Sequence, residues 1–133
     1  MTEALLSVKG LTKYFPVVKG IVRSRLVGEI KAVDGVNFEV MPGETLGLVG
    51  ESGCGKTTTG RLVLRLLERS GGQVYYRGVE LTGLQQRDMD RYRRKLQIIF
   101  QDPYASLNPR ITVGDAIAEP LVAHGLATRR AAR

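Results

Sequence analysis

The chain has 133 residues, enough for one domain of ordinary size, and its 43% hydrophobic content is enough to bury a core. No apolar run approaches the roughly 18 residues of a membrane span, and the one cysteine, Cys54, excludes an internal disulfide framework and a cysteine metal cluster. The net charge of +7 is compatible with nucleic acid, anionic lipid or an acidic small ligand, but the scattered arginines favour a solvated surface, so no nucleic acid is expected.

The first fifty residues predict three strands. Residues 4–15 alternate partly and are rich in Leu, Val and aromatic side chains, which indicates a strand, and residues 31–40 indicate a second one. Residues 16–30 between them are basic and contain glycine, which favours an exposed loop. Residues 41–44 (MPGE) predict a turn, and residues 45–50 (TLGLVG) are a continuous apolar run typical of a strand buried on both faces of a sheet.

After Lys56 the hydrophobic period changes from that of a strand to that of a helix. Leu62, Val63, Leu66 and Leu67 share one helical face, and the glycine pair at 71–72 is predicted to end this helix. The remaining predicted elements are two short strands in 73–81 around a turn at Arg77-Gly78, a polar helix over 88–96, a buried strand at 97–100, a loop over 101–110, and a helix within 112–126 with Thr112 as its N-cap.

Residues 50–57, "GESGCGKT", match the phosphate-binding pattern G-x-x-x-x-G-K-[ST]. Glycine at three positions permits positive φ and lets backbone N–H groups approach a phosphate without a Cβ in the way. Those amides and the positive end of the helix that begins near Lys56 form an anion cradle. Lys56 is expected to reach the β and γ phosphates, and the Thr57 hydroxyl to bind Mg²⁺. The loop is therefore predicted to bind phosphate.

Four stretches in order along the chain resemble the nucleotide-binding subunit of an ABC transporter: "LTKYFPV", "IKAVDGVNFEV", "GESGCGKTTTGRLVLRL" and "IIFQDPYASLNPR". The chain is most similar to the subunits of oligopeptide and dipeptide importers, over about residues 3–126. The resemblance implies an α/β fold, a P-loop NTPase of the ABC ATPase type with an antiparallel β subdomain. It implies that residues 1–133 are the N-terminal part of one nucleotide-binding domain, with the β subdomain and P-loop core in 1–110 and the start of the helical subdomain in 111–133.

The resemblance also implies roles for individual residues. Tyr14 matches the aromatic that stacks on adenine, which suits a ring face that binds any base, although a packed core aromatic is the alternative. Gln101 matches the glutamine that contacts Mg²⁺ and the attacking water, although a loop glutamine bonded only to backbone is the alternative. Lys56 and Gln101 are the expected catalytic residues, and Thr57 and Gln101 the expected Mg²⁺ ligands. The expected nucleotide contacts are Tyr14, Gly50, Glu51, Ser52, Gly53, Cys54, Gly55, Lys56, Thr57 and Thr58.

Asp102 offers a competing assignment, because it ends the apolar stretch "LQIIFQD" and could organise Mg²⁺ as a Walker B aspartate. Gln101 interrupts that stretch, and Pro103 follows where ABC proteins place a glutamate, so the assignment is disfavoured. The family's LSGGQ-type signature, its Walker B strand ending in Asp-Glu and its switch histidine are not found in the sequence. His124 is expected to be an ordinary residue at a helix end, and the C-terminal half of the domain is expected to be absent.

The function that the resemblance implies is that of an ATP-binding subunit, an ATPase that couples ATP binding and hydrolysis to the import of peptides or a related small solute. Without a glutamate to orient water, the 133-residue chain is expected to bind nucleotide with little turnover.

The implied partners are ATP with Mg²⁺, a second nucleotide-binding subunit, membrane-spanning permease subunits and, indirectly, a solute-binding protein. The N-terminus lacks the pattern of a signal peptide, so a peripheral location at the cytoplasmic face of the cell membrane is expected. Three alternatives stay open: a nucleotide-binding module without catalysis, a P-loop kinase or GTPase, which Tyr14 and Gln101 disfavour, and a nucleic-acid binder suggested only by the charge.

Overall fold

The computed structural model describes residues 3–19, 25–102, 106–128 and 130–132. Residues up to Asp90 form one compact unit, and residues from Arg91 onward form a second. The predicted division at residue 110 stays a prediction. Within the described ranges, every helix is too short or too polar to cross a bilayer.

The first unit is built on a four-stranded antiparallel sheet with the strand order β2-β1-β3-β4. Its elements are β1 (Leu6–Lys19), β2 (Arg25–Val40), α1 (Lys56–Val63), β3 (Gly71–Tyr76), β4 (Val79–Glu80) and α2 (Gln86–Arg93), which runs into the second unit. The predicted turn at Arg77-Gly78 is confirmed. The core of the unit consists of Val8, Leu11, Val33, Leu62, Val63, Val74, Tyr76, Leu81 and Met89, all buried.

The hairpin of β1 and β2 shows that the predicted loop over residues 16–30 is wrong. Residues 16–19 and 25–30 belong to strands, and residues 20–24 lie outside the described ranges. Basic charge and glycine indicated a loop, but this stretch is also rich in β-branched and aliphatic residues, which fit a pleated ribbon. The ladder continues to Lys19↔Arg25 with register shifts that accommodate the irregular spacing.

Helix α1 ends at Val63 and does not continue to the glycine pair at 71–72, which begins β3 instead. The chain turns at Arg65, which has a φ of 51°, in the left-handed region that a non-glycine residue adopts only at a cost. The Arg65 guanidinium donates hydrogen bonds to the carbonyl oxygens of Leu81 (2.8 Å) and Leu84 (3.0 Å). These bonds hold the early turn in place and offset its cost.

Two predicted buried strands are not formed. Residues 45–50 and 97–100 have irregular backbone, and Val49 and Ile99 are 92% and 98% exposed. A strand buried on both faces needs a neighbour on each side, and the sheet of the first unit pairs with neither segment. The described residues thus contain the antiparallel sheet of the predicted fold and the helix after the glycine loop, without a parallel sheet.

The second unit contains α3 (Val113–Ala123), and its predicted N-cap is confirmed. The Thr112 hydroxyl oxygen accepts the backbone N–H of Asp115 at 3.1 Å and donates to the Asp115 carboxylate at 2.9 Å. At the other end the His124 N–H donates to the Pro120 carbonyl at 3.0 Å, so His124 is the helix-end residue that the sequence predicted.

Candidate functional site

The predicted phosphate-binding loop, residues 50–57, connects the irregular segment 45–49 to α1. Gly53 and Gly55 have φ of 81° and 82°, in the left-handed region that favours glycine. A Cβ at Gly55 would lie 2.1 Å from the Ala32 carbonyl oxygen of β2, whereas a Cβ at Gly53 would meet open space. A Cβ at Gly50 would lie 2.6 Å from Cys54 Sγ. The loop therefore rests directly on β2, and the approach is closest at Gly55.

The start of α1 presents uncompensated hydrogen-bond donors. Gly55 is the N-cap, no side chain caps the helix, and its first turn contains no acidic residue. The N–H groups of a first turn have no partner within their own helix, and the helix dipole places partial positive charge at this end. Together these features suit an anion with several acceptor oxygens, such as a phosphate.

Lys56 adds a full positive charge to this region. Its Nζ donates to the carbonyl oxygens of Gly50 (2.8 Å) and Glu51 (2.9 Å) and lies 3.7 Å from Cys54 Sγ. The lysine side chain thus folds back over its own loop and places the ammonium beside the residues that precede the helix. The structure brings Gly50, Glu51, Cys54 and Lys56 together, and Cys54 is exposed; their contacts with nucleotide stay a prediction.

Three consecutive threonines in the first turn of α1 differ in their surroundings. Thr59 is buried, and its hydroxyl donates to the Gly55 carbonyl at 2.8 Å, so it stabilises the helix start. Thr57, the predicted Mg²⁺ ligand, is exposed, and Thr58 is half-buried. In the described ranges, no group of three or more His, Cys, Asp or Glu side chains is placed to hold a metal. A Mg²⁺ ion at Thr57 would rely on hydroxyl, phosphate and water oxygens, which this ion accepts as ligands.

Tyr14 lies on β1 opposite Lys31 of β2 and takes part in a polar cluster on the surface of the hairpin. Its hydroxyl donates to the Asp34 carboxylate, the Lys31 ammonium lies 3.3 Å from the same carboxylate, and that ammonium is 5.3 Å from the centre of the Tyr14 ring. The Tyr14 N–H donates to the Ser70 hydroxyl at 2.9 Å. The ring is thus held in one orientation by contacts at its hydroxyl and at its face.

The cluster shifts the pKa values of its three members. The hydrogen bond from the Tyr14 hydroxyl, reinforced by the one from Lys31, lowers the pKa of the Asp34 carboxyl below its ordinary value. The hydrogen bond of Tyr14 to Asp34 raises the pKa of Tyr14, and the hydrogen bond of Lys31 to Asp34 raises the pKa of Lys31. Each group would lose its favourable hydrogen bond to the carboxylate if it gave up its proton. Around neutral pH, Asp34 is therefore ionised, Tyr14 is neutral and Lys31 is positively charged.

Gln101 and Asp102 lie in the second unit, in irregular backbone, and both are exposed. The Asp102 carbonyl accepts a hydrogen bond from the Ser106 hydroxyl at 2.6 Å. Residues 103–105, which include Pro103 of the competing assignment, lie outside the described ranges. The expected Mg²⁺ contact of Gln101 remains a prediction.

Comparison with known proteins identifies the family of this chain. Residues 33–132 match the family described as ABC transporter, and this range includes the glycine loop and all but the last residue after it. The chain belongs to the ABC transporter family. The resemblance stated from four short stretches of sequence is thereby confirmed.

Two curated relatives match nearly the whole chain. It is 50% identical over 124 residues to the glutathione import ATP-binding protein GsiA of Escherichia coli (strain K12). This alignment covers 93% of this chain and 20% of the relative. It is 45% identical over 129 residues to the oligopeptide transport ATP-binding protein AppF of Bacillus subtilis (strain 168), which covers 96% of this chain and 39% of the relative. The chain thus spans well under half the length of these relatives.

Solved structures support the fold. The chain resembles a dimeric ATP-binding cassette in a post-hydrolysis state bound to ADP and Pi, with a TM-score of 0.73, 24% identity, and coverage of 92% of this chain and 49% of that one. A nucleotide-free ATP-binding cassette matches with a TM-score of 0.54, 27% identity, and coverage of 68% and 31%. The fold is that of an ABC ATPase cassette with its antiparallel sheet, represented over about half of the first cassette's length.

Sequence reasoning missed the residues that surround Tyr14 and Gly55. The sequence predicts a turn near Asp34-Gly35 within the second strand and gives Lys31 no role, and it does not indicate that Ala32 limits the size of residue 55. No regular strand pattern indicates the polar pair, because residues three apart in a strand point to opposite faces; the ladder has a register shift between Lys13↔Val33 and Tyr14↔Lys31, within the segment that joins Lys31 to Asp34. The contact of Ala32 with Gly55 joins residues far apart in sequence and carries no local signal.

Proposed function

We propose that residues 50–57 bind the phosphates of ATP and that the chain belongs to the ATP-binding subunit of an ABC importer. The observation that carries the proposal is the start of α1: an uncapped first turn without acidic residues, next to a lysine whose ammonium folds over the glycine loop. Backbone N–H groups and the ammonium would hold the phosphate oxygens, and the Lys56 bonds to two carbonyls would be exchanged for bonds to phosphate. Binding of ATP at this loop is the step for which these residues are suited.

The remaining site residues fit the same proposal. Thr57 is exposed at the second position of α1 and would supply a hydroxyl ligand to Mg²⁺. For Gln101, in the second unit, the proposed roles of Mg²⁺ ligand and of orienting water rest on the family resemblance alone. Bound Mg²⁺ would neutralise charge between the β and γ phosphates. Tyr14 would stack on the adenine ring, held in place by Asp34 and Lys31. Because Phe15 follows Tyr14 directly and is also partly exposed, it is the natural comparison in any test of this role.

The wider function is proposed from the relatives. One is a glutathione import protein and the other an oligopeptide transport protein, so peptides or related small solutes are the proposed class of cargo. For the whole protein we propose four further properties. It would hydrolyse ATP, pair with a second nucleotide-binding subunit, bind permease subunits and lie at the cytoplasmic face of the membrane. For the 133-residue chain we expect nucleotide binding with negligible turnover, because it contains no recognised glutamate to orient water.

The test is calorimetric titration of the chain with Mg-ATP and with inorganic tripolyphosphate. We expect both to bind, Lys56→Ala to weaken both, and Tyr14→Ala to weaken ATP alone. Phe15→Ala serves as the matched variant: if it weakens ATP selectively and Tyr14→Ala does not, the adenine contact belongs to Phe15. Equal affinity of Lys56→Ala and parent for both ligands would refute the phosphate assignment.

Chemical modification of Cys54 tests the same site independently. Its thiol is exposed in the middle of the loop, and its Sγ lies 3.7 Å from Lys56 Nζ. A maleimide should modify it and block nucleotide binding, and Mg-ATP should slow the modification. If Mg-ATP leaves the rate of Cys54 labelling unchanged, the nucleotide does not bind at this loop.

A further inference from the structure

The ladder between β1 and β2 contains an extra residue beside the glycine loop. Lys13 pairs with Val33, and the next residue of β1, Tyr14, pairs with Lys31. Among the described pairs, Ala32 therefore has no partner on β1. A β-bulge of this kind bends its strand and redirects the side chains next to it, and bulges are frequent beside functional sites. The bulge at Ala32 thus changes which side chains of β2 share a face.

The bulge brings Lys31 and Asp34 to the same side of the strand, around Tyr14. Side chains three residues apart in a regular strand point to opposite faces, and the extra residue removes that difference. The Tyr14 hydroxyl donates to one oxygen of the Asp34 carboxylate, and the Lys31 ammonium donates to the other at 3.3 Å. The same ammonium lies over the Tyr14 ring, 5.3 Å from its centre. A base that stacks on Tyr14 would therefore take the opposite face of the ring.

The same bulge also supports the glycine loop. A Cβ at Gly55 would lie 2.1 Å from the Ala32 carbonyl oxygen and 3.7 Å from the side chain of Val33, which is buried. We call residues 31–34 the bridging segment. Its two ends contact the side chain of Tyr14, and its middle contacts the loop that is proposed to bind phosphate. One short piece of β2 thus joins the proposed base contact to the proposed phosphate contact.

We propose that Asp34 is a positioning residue for the base of the nucleotide. Its hydrogen bond with the Tyr14 hydroxyl fixes the ring on the bridging segment, and the same segment supports the glycine loop, so the two contacts are held at one separation before a nucleotide binds. Contacts that are in place beforehand lose less conformational freedom on binding, which raises the affinity for a ligand that uses both. This inference rests on the proposed function and assigns Asp34 an effect on the adenosine part of ATP alone.

The test is a double-mutant cycle at Tyr14 and Asp34, measured by calorimetry with Mg-ATP and with inorganic tripolyphosphate. Tyr14→Phe keeps the ring and removes the hydroxyl, whereas Asp34→Ala removes the acceptor. Each change should weaken Mg-ATP by about three- to tenfold and leave tripolyphosphate unchanged. The double variant should lose no more than the larger of the two single losses, because both changes remove the same hydrogen bond. Asp34→Asn, whose amide oxygen can still accept from the hydroxyl, should lose less than Asp34→Ala.

Glu39→Ala is the matched control. Glu39 accepts a hydrogen bond from the Ser7 hydroxyl at 3.0 Å, and these two residues are cross-strand partners in the same hairpin. The control therefore removes an equivalent bond between β1 and β2 outside the bridging segment. It should leave the affinities for both ligands unchanged, even where urea unfolding shows that the hairpin is less stable.

Three results would overturn the proposal: additive losses in the double variant, an equal loss of Mg-ATP affinity in Asp34→Ala and Glu39→Ala, or a loss in Asp34→Ala that is as large for tripolyphosphate as for Mg-ATP. Tyr14→Ala separates this inference from the proposed function. If Tyr14→Ala weakens Mg-ATP selectively and Asp34→Ala does not, the positioning role alone is wrong. A parent chain that binds neither ligand contradicts the proposed function, and the positioning role with it.

Discussion

Two adjacent stretches of this chain, residues 45–49 and residues 50–57, differ in what determines their structure. The first is an apolar run that the sequence predicts as a buried strand, yet its backbone is irregular and Val49 is almost fully exposed. The second is a glycine loop whose predicted residues are brought together around Lys56. The loop depends on its own glycines and on the helix that follows, whereas a central strand depends on neighbouring strands that the described residues do not supply.

The largest effect is expected at Gly55, where the loop rests on β2. Gly55→Ala should lower the free energy of unfolding by about 2–5 kcal/mol, because the new Cβ meets the Ala32 carbonyl and the left-handed φ disfavours alanine. Gly53→Ala has a similar φ but open space around its Cβ, and should cost about 1–2 kcal/mol. Urea unfolding of the two variants measures the difference. Equal losses would mean that the loop does not rest on β2.

A smaller effect is expected for Lys56→Ala, on binding and not on folding. Loss of a charge-assisted contact to phosphate should weaken Mg-ATP by about 1.5–3 kcal/mol, or roughly 10- to 150-fold. The contacts described for the lysine ammonium are all with its own loop, namely the carbonyls of Gly50 and Glu51 and the Cys54 sulfur, so the unfolding curve should change little. Lys95→Ala, at an exposed lysine outside the loop, is the control and should leave the affinity unchanged.

Some features of this chain are determined by neighbouring residues in the sequence, and others by contacts between residues far apart. The positive φ of Gly53 and Gly55, the N-cap at Thr112 and the turn at Arg77-Gly78 are set by residues close together in the chain, and the sequence predicts each of them correctly. The turn at Arg65, just after α1 ends at Val63, depends on the carbonyls of Leu81 and Leu84, sixteen and nineteen positions away, and no local signal indicates them. The strands predicted at 45–50 and 97–100 are not formed. An apolar run indicates a strand that is buried in a complete sheet, but it does not specify the neighbouring strands with which it pairs.

A pH-dependent effect is expected at the surface cluster of Tyr14, Lys31 and Asp34. The pKa of Asp34 is lowered in the folded chain, so its contribution to stability is present above its ordinary value and is lost as the pH falls through the lowered pKa. Asp34→Asn should therefore destabilise the chain more at pH 7 than at acid pH. The raised pKa of Tyr14 acts at the other end: its contribution is present below the ordinary value and is lost as the pH rises through the raised pKa.

Urea unfolding of parent and Asp34→Asn at several pH values measures this effect, and Glu39→Gln, another exposed strand carboxylate, is the control. A difference between parent and Asp34→Asn that stays constant from neutral to acid pH would contradict the role of the carboxylate.

The smallest effect on stability is expected in the apolar segment itself. Val49→Asp should change the free energy of unfolding by no more than about 0.5 kcal/mol, because the side chain is 92% exposed. The same change should reduce self-association, since an exposed apolar side chain favours contact with other molecules. Sedimentation at several concentrations measures the association. A large loss of stability would show that Val49 is packed, and the contrast with the glycine loop would disappear.

The central claim is that the glycine loop binds the phosphates of a nucleotide, and amide chemical shifts test it residue by residue. In a ¹⁵N-labelled sample, Mg-ATP and inorganic tripolyphosphate should both shift the backbone N–H signals of Gly53, Gly55, Lys56 and Thr57, and the same ligands should leave those signals in place in Lys56→Ala at equal concentration. Shifts that are absent from these four amides, or that lie elsewhere in the chain, would contradict the assignment of the phosphate site.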